Sequence, residues 1–329
     1  MIVSCAPVRF SLGGGGSDLP SYSREHGGFV VAASVDKFIF VCVARRFYDN
    51  LRLAYSESEI VDSAEQVKHR ILRAALLETG ILRGIELHSL ADVPANSGLG
   101  SSSSFTVAVL NALHAYKREF VPAEQLAREA CHIEMDLLNE PIGKQDQYIA
   151  AYGGISALTF NPDGSVDVER LPLRDGVIDE LESNLAIYYS GVERAASTVL
   201  KEQAATIAQD KDGAVHRMHR IKALGHDTKR ILLSGKIDSY GEMLHEHWTN
   251  KRKFASTMAD AAIDEHYDAA RKAGAIGGKL MGAGGGGFFM FYVRPGDRRR
   301  VHDVLASRGL RPLRFRFEFN GARITVNFK

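Results

Sequence analysis

The stretch PANSGLGSSSSF, residues 94–105, decides how the chain is read. Gly98 and Gly100 let the backbone turn sharply and approach an anion with no Cβ in the way. Ser101–Ser104 then open a helical pattern that runs to about Tyr116. The unpaired N–H groups of a first helical turn, and the positive end of its dipole, suit phosphate. A serine-capped helix after a glycine turn uses the same letters and needs no ligand. Taken alone, the motif leaves both readings open.

Upstream, MIVSCAPVRFSL reads as a strand entering a glycine turn, and FVVAASVDKFIFVCVARRF as two extended segments. Helical spacing of Val61, Ala64, Val67, Ile71, Ala74 and Leu77 predicts a helix closed by Gly80. IELHSL reads as a further strand, and Pro122 opens a helix that Pro141 cannot let continue. Residues 161–180 are polar and turn-rich, with Asn-Pro and Asp-Gly signals, and place a boundary near 180. Beyond LAIYYSG, residues 193–273 are mostly helical, and GGFFMFYV, RFRFEF and RITVNF return to strands. The expectation is two closely joined α+β domains, 1–180 and 181–329. A length of 329 residues fits two domains better than one.

Composition narrows the function. Hydrophobic residues make up 45% and charged residues 25%, so the chain can bury a core. Lys+Arg 41 against Asp+Glu 40 leaves a net charge of +1, which argues against a nucleic-acid partner. No apolar run approaches the roughly 18 residues that span a bilayer, so no membrane partner is expected. The N-terminus lacks the basic leader of a signal peptide. Three scattered cysteines, Cys5, Cys42 and Cys131, without a CxxC pair, fit a reducing cytoplasm.

Two common phosphate motifs fail. Lys279 follows Gly277–Gly278, but Leu280 stands where a P-loop needs a hydroxyl. Gly282, Gly284 and Gly287 form GxGxxG, yet they precede the apolar strand FFMFY instead of opening a helix. The protein-kinase triplets HRD and DFG are missing. The twelve histidines show no HxxxH-type metal pattern; His216, His219 and His226 read as exposed on a helix.

Three segments in this order, APVRFSLGGGGSD (6–18), PANSGLGSSSSF (94–105) and KLMGAGGGGFFMFY (279–292), resemble the signature motifs of the GHMP small-molecule kinases. Within that superfamily GGGGSDLPSY, GKQDQYIAAYGG (143–154) and YYSGVERAAS (188–197) resemble the bacterial D-glycero-D-manno-heptose 7-phosphate kinases. Val8, Asn96 and Met281 depart from the commoner pattern. The resemblance implies an α+β fold in which an N-terminal ribosomal-protein-S5-like domain packs on a C-terminal ferredoxin-like domain. It implies ATP and Mg²⁺ as cofactors and a small-molecule sugar or sugar phosphate as substrate, with a homodimer as a possible assembly.

Residue by residue, it implies nucleotide contacts for Pro94, Ser97, Gly98, Leu99, Gly100, Ser101, Ser102 and Ser103, and a metal site from Ser102 and Glu134. It implies that Asp146 sits next to the acceptor hydroxyl with Arg9 beside it. Substrate contacts would come from Gly15, Gly16, Ser17, Asp18, Gly284 and Gly285. The reaction implied is phosphorylation of an anomeric hydroxyl, with a galactokinase- or fucokinase-like 1-kinase as the nearest alternative. GGGGSD, where galactokinases carry GEHTD, argues against the first of these. A silent sugar sensor would not need Ser102, Glu134 and Asp146. For a distal phosphate the chain offers Arg194, Lys251, Arg252 and Lys253, although a KRK run on a helix is ordinarily solvated charge.

Overall fold

In the computed structural model, residues 1–192, 196–209, 213–254, 261–284 and 286–328 are described. The first half carries strands β1 (Ile2–Gly13), β2 (Gly28–Arg45), β3 (Leu51–Ala54), β4 (Ser58–Val61), β5 (Ile85–Ala91), β6 (Ile155–Phe160) and β7 (Val166–Arg170). Its helices are α1 (Pro20–His26), α2 (Arg70–Thr79), α3 (Ser101–Lys117), α4 (Ala123–Cys131), α5 (Gln145–Tyr152) and α6 (Asp175–Asn184). The second half comprises β8 (Leu185–Tyr189), α7 (Ala196–Ala208), α8 (Ala214–Ser234), α9 (Tyr240–Lys251) and α10 (Ala261–Lys272). Then follow β9 (Gly277–Leu280), β10 (Phe288–Tyr292), α11 (Arg298–Ser307), β11 (Arg311–Leu313) and β12 (Arg323–Asn327).

The two predicted extended segments are one 18-residue strand. The pairing of β1 with β2 jumps from Pro7↔Phe38 to Val8↔Val35, which leaves Asp36 and Lys37 unpaired with β1. Pro7 has no N–H to give a ladder, and such an irregularity bends a long strand. The bend lets β2 pair β6 through Gly28–Ala33 and β5 through Ile39–Arg45. The first sheet runs β12-β1-β2-β5-β3-β4, with β6 and β7 branching from β2.

The second sheet, β11-β8-β10-β9, is antiparallel throughout. Numbering its strands by chain position gives the order 4-1-3-2 with helices in the two crossovers, the ferredoxin-like arrangement. The fold is therefore α+β, as expected. Residue 180 lies inside α6, and β12 returns to pair β1, so no single cut near 180 divides the chain into its two sheets. RFRFEF forms no strand; only Phe317 bridges to Val35. The helix expected from Val61 is split, because Val61 ends β4, residues 64–66 make a single 3₁₀ turn, and α2 starts at Arg70. Gly80 closes it in the left-handed conformation, as its position predicts.

β1 shows why the site lies where it does. Its side chains alternate across the sheet. Val8, Phe10 and Leu12 enter a core shared with Leu185, Ile187, Met290 and Tyr292 of the second half. Arg9 and Ser11 therefore point the other way, into a cavity. The opposite face of the first sheet packs on α2–α5 through Val30, Ala32, Leu72, Val107, Leu110 and Ile149. Among the described residues no helix is long and apolar enough to cross a membrane.

His114, on α3, faces Glu129 at 2.7 Å and Glu119 at 2.8 Å, one carboxylate at each ring nitrogen. The hydrogen bond to Glu129 raises its pKa above the usual 6.5, against a smaller effect of burial. A raised folded pKa means that this stabilisation is complete below about 6.5 and is lost as pH climbs through the folded value. His114→Gln is therefore expected to lower Tm by about 2 °C or more at pH 6 and by less at pH 9, as followed by thermal melting. An equal loss at both pH values would show that the imidazolium contributes nothing.

Candidate active site

A cavity of about 490 Å³ opens where β1, the start of α3, α5, α7 and the end of α9 converge. On its floor the Arg9 guanidinium makes a fork to Asp146. Nε donates to Oδ1 at 2.7 Å and Nη2 to Oδ2 at 2.8 Å. Nη1 donates to the Gly98 carbonyl at 2.6 Å, and the Arg9 backbone N–H donates to the Leu99 carbonyl at 3.0 Å. One side chain thus ties β1 to the 94–100 loop and to α5. Charge-assisted bidentate bonds are the stronger kind and fix a planar geometry. Arg9 is buried, whereas Asp146 is partly open to the cavity.

Gly100 is the N-cap of α3 and adopts the left-handed conformation, with φ of 74°. A Cβ there would lie 2.9 Å from Asp146 Oδ2. Gly98, with φ of 80°, would place a Cβ 2.7 Å from the Met281 carbonyl, so the two glycine loops touch backbone to backbone. The second loop belongs to the stretch after β9, whose glycines the GxGxxG pattern had marked.

Glu134 lies in a π-helical turn, His132–Leu137, that continues α4. Such turns widen a helix locally and are frequent at functional sites. The carboxylate is buried and accepts from Ser103 Oγ at 2.8 Å, from Thr106 Oγ1 at 2.7 Å and from Gln147 Nε2. Burial pushes its pKa up to about 7, and these three donors hold it from going higher. Ser103 and Thr106, three residues apart, share one face of α3. Ser102, a residue earlier, is exposed on the cavity wall, and the hydroxyl bonded to Glu134 is that of Ser103.

Asp18 is buried, and its carboxylate is already occupied. Oδ1 accepts from Gly16 N–H at 3.1 Å and Oδ2 from Gln145 N–H at 3.2 Å, while Gln145 Nε2 lies within 3.2 Å of both oxygens. Four contacts are about what a carboxylate can accept. Burial raises its pKa, and Asp146 adds to the rise. Asp18 therefore fastens the start of α5 while also lining the cavity.

Lys251 overturns the reading of KRK as solvated charge. It is buried at the end of α9, and Nζ donates to the Gly282 carbonyl. Burial and then Arg9 bring its pKa down to about 8, with Asp18 and Asp146 acting the other way. Spacing carried a signal: Leu244, His247, Trp248 and Lys251 fall on one buried stripe of α9. Arg252 instead pairs with Asp264, and Lys253 is exposed.

The cavity gathers Arg9, Gly15, Gly16 and Asp18 from the first motif, Gly98, Gly100 and Ser101–Ser103 from the second, and Glu134 and Asp146 from the stretch between α4 and α5 and the start of α5. Other expected residues do not line it. Ser17 spends its hydroxyl on the Phe29 backbone, Leu99 is core, Pro94 is exposed, and Ser97 and Gly284 are buried. Gly285 and Arg194 lie outside the described residues.

The sequence matches the GHMP kinases N terminal domain over residues 64–154 and the GHMP kinases C terminal over 228–310. The chain belongs to this family, and it is a phosphotransferase with an alcohol group as acceptor. GHMP kinases use ATP as the phosphate donor. A D-glycero-alpha-D-manno-heptose 7-phosphate kinase of Campylobacter jejuni is 27% identical over 304 residues, covering 88% of each chain. A crystal structure of a D-glycero-D-manno-heptose 1-phosphate kinase from Bacteriodes thetaiotaomicron superposes with a TM-score of 0.82 and 28% identity, covering 100% of both chains. A bifunctional fucokinase/GDP-fucose pyrophosphorylase of Arabidopsis thaliana is 25% identical across 89% of this chain, which spans only 30% of that relative. These findings support a sugar kinase of the GHMP family.

Gly100→Ala tests the contact with Asp146. The left-handed φ alone costs about 1–2 kcal/mol, and the new methyl meets the carboxylate. The expected outcome is a fold that still forms, with kcat reduced at least about tenfold by a displaced Asp146, as steady-state kinetics and melting would report. Wild-type kcat in this variant would show that the Asp146 position is not critical.

Proposed function

We propose that the protein transfers the γ-phosphoryl group of ATP to the anomeric hydroxyl of a sugar, and that this sugar is D-glycero-D-manno-heptose 7-phosphate. The observation that carries the phosphoryl-transfer reading is the Arg9–Asp146 fork beneath a glycine-serine helix start, inside one cavity. The heptose reading rests on the names of the relatives and on the motif resemblance.

The first turn of α3 offers its free N–H groups and the hydroxyls of Ser101 and Ser102 to the nucleotide phosphates. The oxygen donors present suit a hard cation. Glu134 and the serine hydroxyls stand on one wall, and among the described residues no cluster of three His, Cys, Asp or Glu competes with them. Mg²⁺ would be held by Glu134 and Ser102, with phosphates and water completing its shell. Bound there, it would neutralise charge on the phosphates. Arg9 adds positive charge beside the transferring group and holds Asp146 against the acceptor hydroxyl.

Both Asp146 oxygens are engaged by Arg9. Taking a proton would weaken that pair, which favours Asp146 as an orienting and electrostatic group over a free base. Phosphoryl transfer asks mainly for positioning and charge neutralisation. Residues up to about 180, with β12 returning to their sheet, would form the nucleotide domain and the other later residues the C-terminal domain, in the cytoplasm.

Asp146→Asn is expected to lower kcat at least about a hundredfold, with little change in the KM for ATP. Single-turnover rates equal to wild type would make the aspartate structural. In a coupled ADP assay the heptose 7-phosphate should exceed the free heptose, mannose, galactose and fucose in kcat/KM by about ten- to a hundredfold. Equal or better turnover of galactose or fucose would move the assignment to a galactokinase- or fucokinase-like enzyme.

A further inference from the structure

Three polar side chains converge on the Gly15–Gly16 backbone, and no motif had marked their polar groups for substrate. Gln203, on α7, is fully buried, and neither its Oε1 nor its Nε2 has a hydrogen-bond partner among the described residues. Its Nε2 lies 3.0 Å from where a Gly16 Cβ would stand. Ser11, on β1, is buried with an unpartnered hydroxyl next to the corresponding position of Gly15. Gln145 Oε1 is unpartnered too, 3.8 Å from that same Gly15 position. All three residues line the cavity, with Arg9 and Asp146 in its wall.

The orientation of Gln145 is imposed. The Gln145 backbone N–H already faces Asp18, and its Nε2 lies within 3.2 Å of both Asp18 oxygens, which turns Oε1 away from them. Asp18 thus presents the oxygen of Gln145. Leaving a buried amide or hydroxyl without a partner costs about 1–3 kcal/mol per group, so several such atoms in one wall point to a ligand that satisfies them. The set contains no charge and mixes donors with acceptors. That chemistry matches hydroxyl groups, which both donate and accept, and it does not match a phosphate.

We propose that Ser11, Gln145 and Gln203 form a neutral cradle that reads the hydroxyl groups of the acceptor ring, with Asp18 as a positioning residue behind Gln145. This rests on the sugar-kinase reading and names the acceptor contacts within it. The cradle discriminates polyhydroxylated acceptors from acceptors with a single hydroxyl. Gly15 and Gly16 leave room because a Cβ at either would approach Ser11 or Gln203.

The test uses the full chain with Gln203→Leu and Ser11→Ala. Each is expected to raise the KM for the heptose 7-phosphate by about three- to tenfold, with the KM for ATP unchanged. Replacing an unpaired buried amide by an apolar side chain of similar size should leave the ligand-free Tm unchanged or higher, an outcome that a merely structural role excludes. The rise in Tm on adding mannose or the heptose 7-phosphate should shrink in both variants. Acceptor KM values within about twofold of wild type in both would overturn the cradle. If Gln203→Leu fails to fold, Ser11→Ala decides alone. A wild-type protein that phosphorylates no sugar overturns the kinase assignment. A sugar-dependent Tm rise in that protein, lost in the variants, would still support the cradle; no rise in wild type would overturn both.

Discussion

The Arg9 guanidinium is the point on which the site depends. It is a cation inside a strand whose other face is core, and a buried charge is tolerated only when it is paired. Its pairing joins three segments far apart in the chain: the strand it sits on, the loop at Gly98 and the helix that starts at Gln145. Arg→Lys would keep the charge and lose the fork, because only a planar guanidinium can meet both Asp146 oxygens and the Gly98 carbonyl at once.

The glycines act largely as spacing elements. Gly98 faces Gly282 and the Met281 carbonyl, so the two glycine loops lie closer than side chains would allow. Val8, Phe10 and Leu12 meanwhile share a core with Leu185, Ile187 and Met290, which joins the two sheets behind the cavity. Close backbone contact in front and a common apolar core behind place the second half where α9 can deliver Lys251 to a site built mainly by the first. The ferredoxin-like half thereby completes the cavity.

Burial sets the electrostatics of that cavity. Glu134 and Asp18 are pushed towards their neutral forms, Lys251 likewise, and in each case loss of water is the largest cause. Acids and a base shifted towards neutrality within one cavity form a wall that gains by taking up charged ligands. Nucleotide phosphates and a hard cation are ligands of that kind. The cradle around Gly15–Gly16 differs from this wall, because its side chains are amides and a hydroxyl. The cavity therefore has a charged region for phosphate chemistry and a neutral region for hydroxyls.

Local chemistry was legible in the residues. Alternation in β1, the serine-rich start of α3, the Gly80 cap and the pairing of Arg9 with Asp146 follow from spacing, glycine placement or motif resemblance. The sequence also marks Ser103 and Thr106 as neighbours on a helix, and Lys251 as lying on an apolar stripe. What it could not decide was which hydroxyl meets Glu134, that Asp18 accepts from Gly16 and Gln145, or that Val61 ends a strand. It also could not show that β12 returns to the first sheet. Those outcomes depend on the rotation of α3 against a π turn, on the bend in β2 and on contacts between residues more than a hundred positions apart. Periodicity reports which face a residue occupies; only packing decides what stands opposite, because partners across a core are chosen by the fit of whole elements.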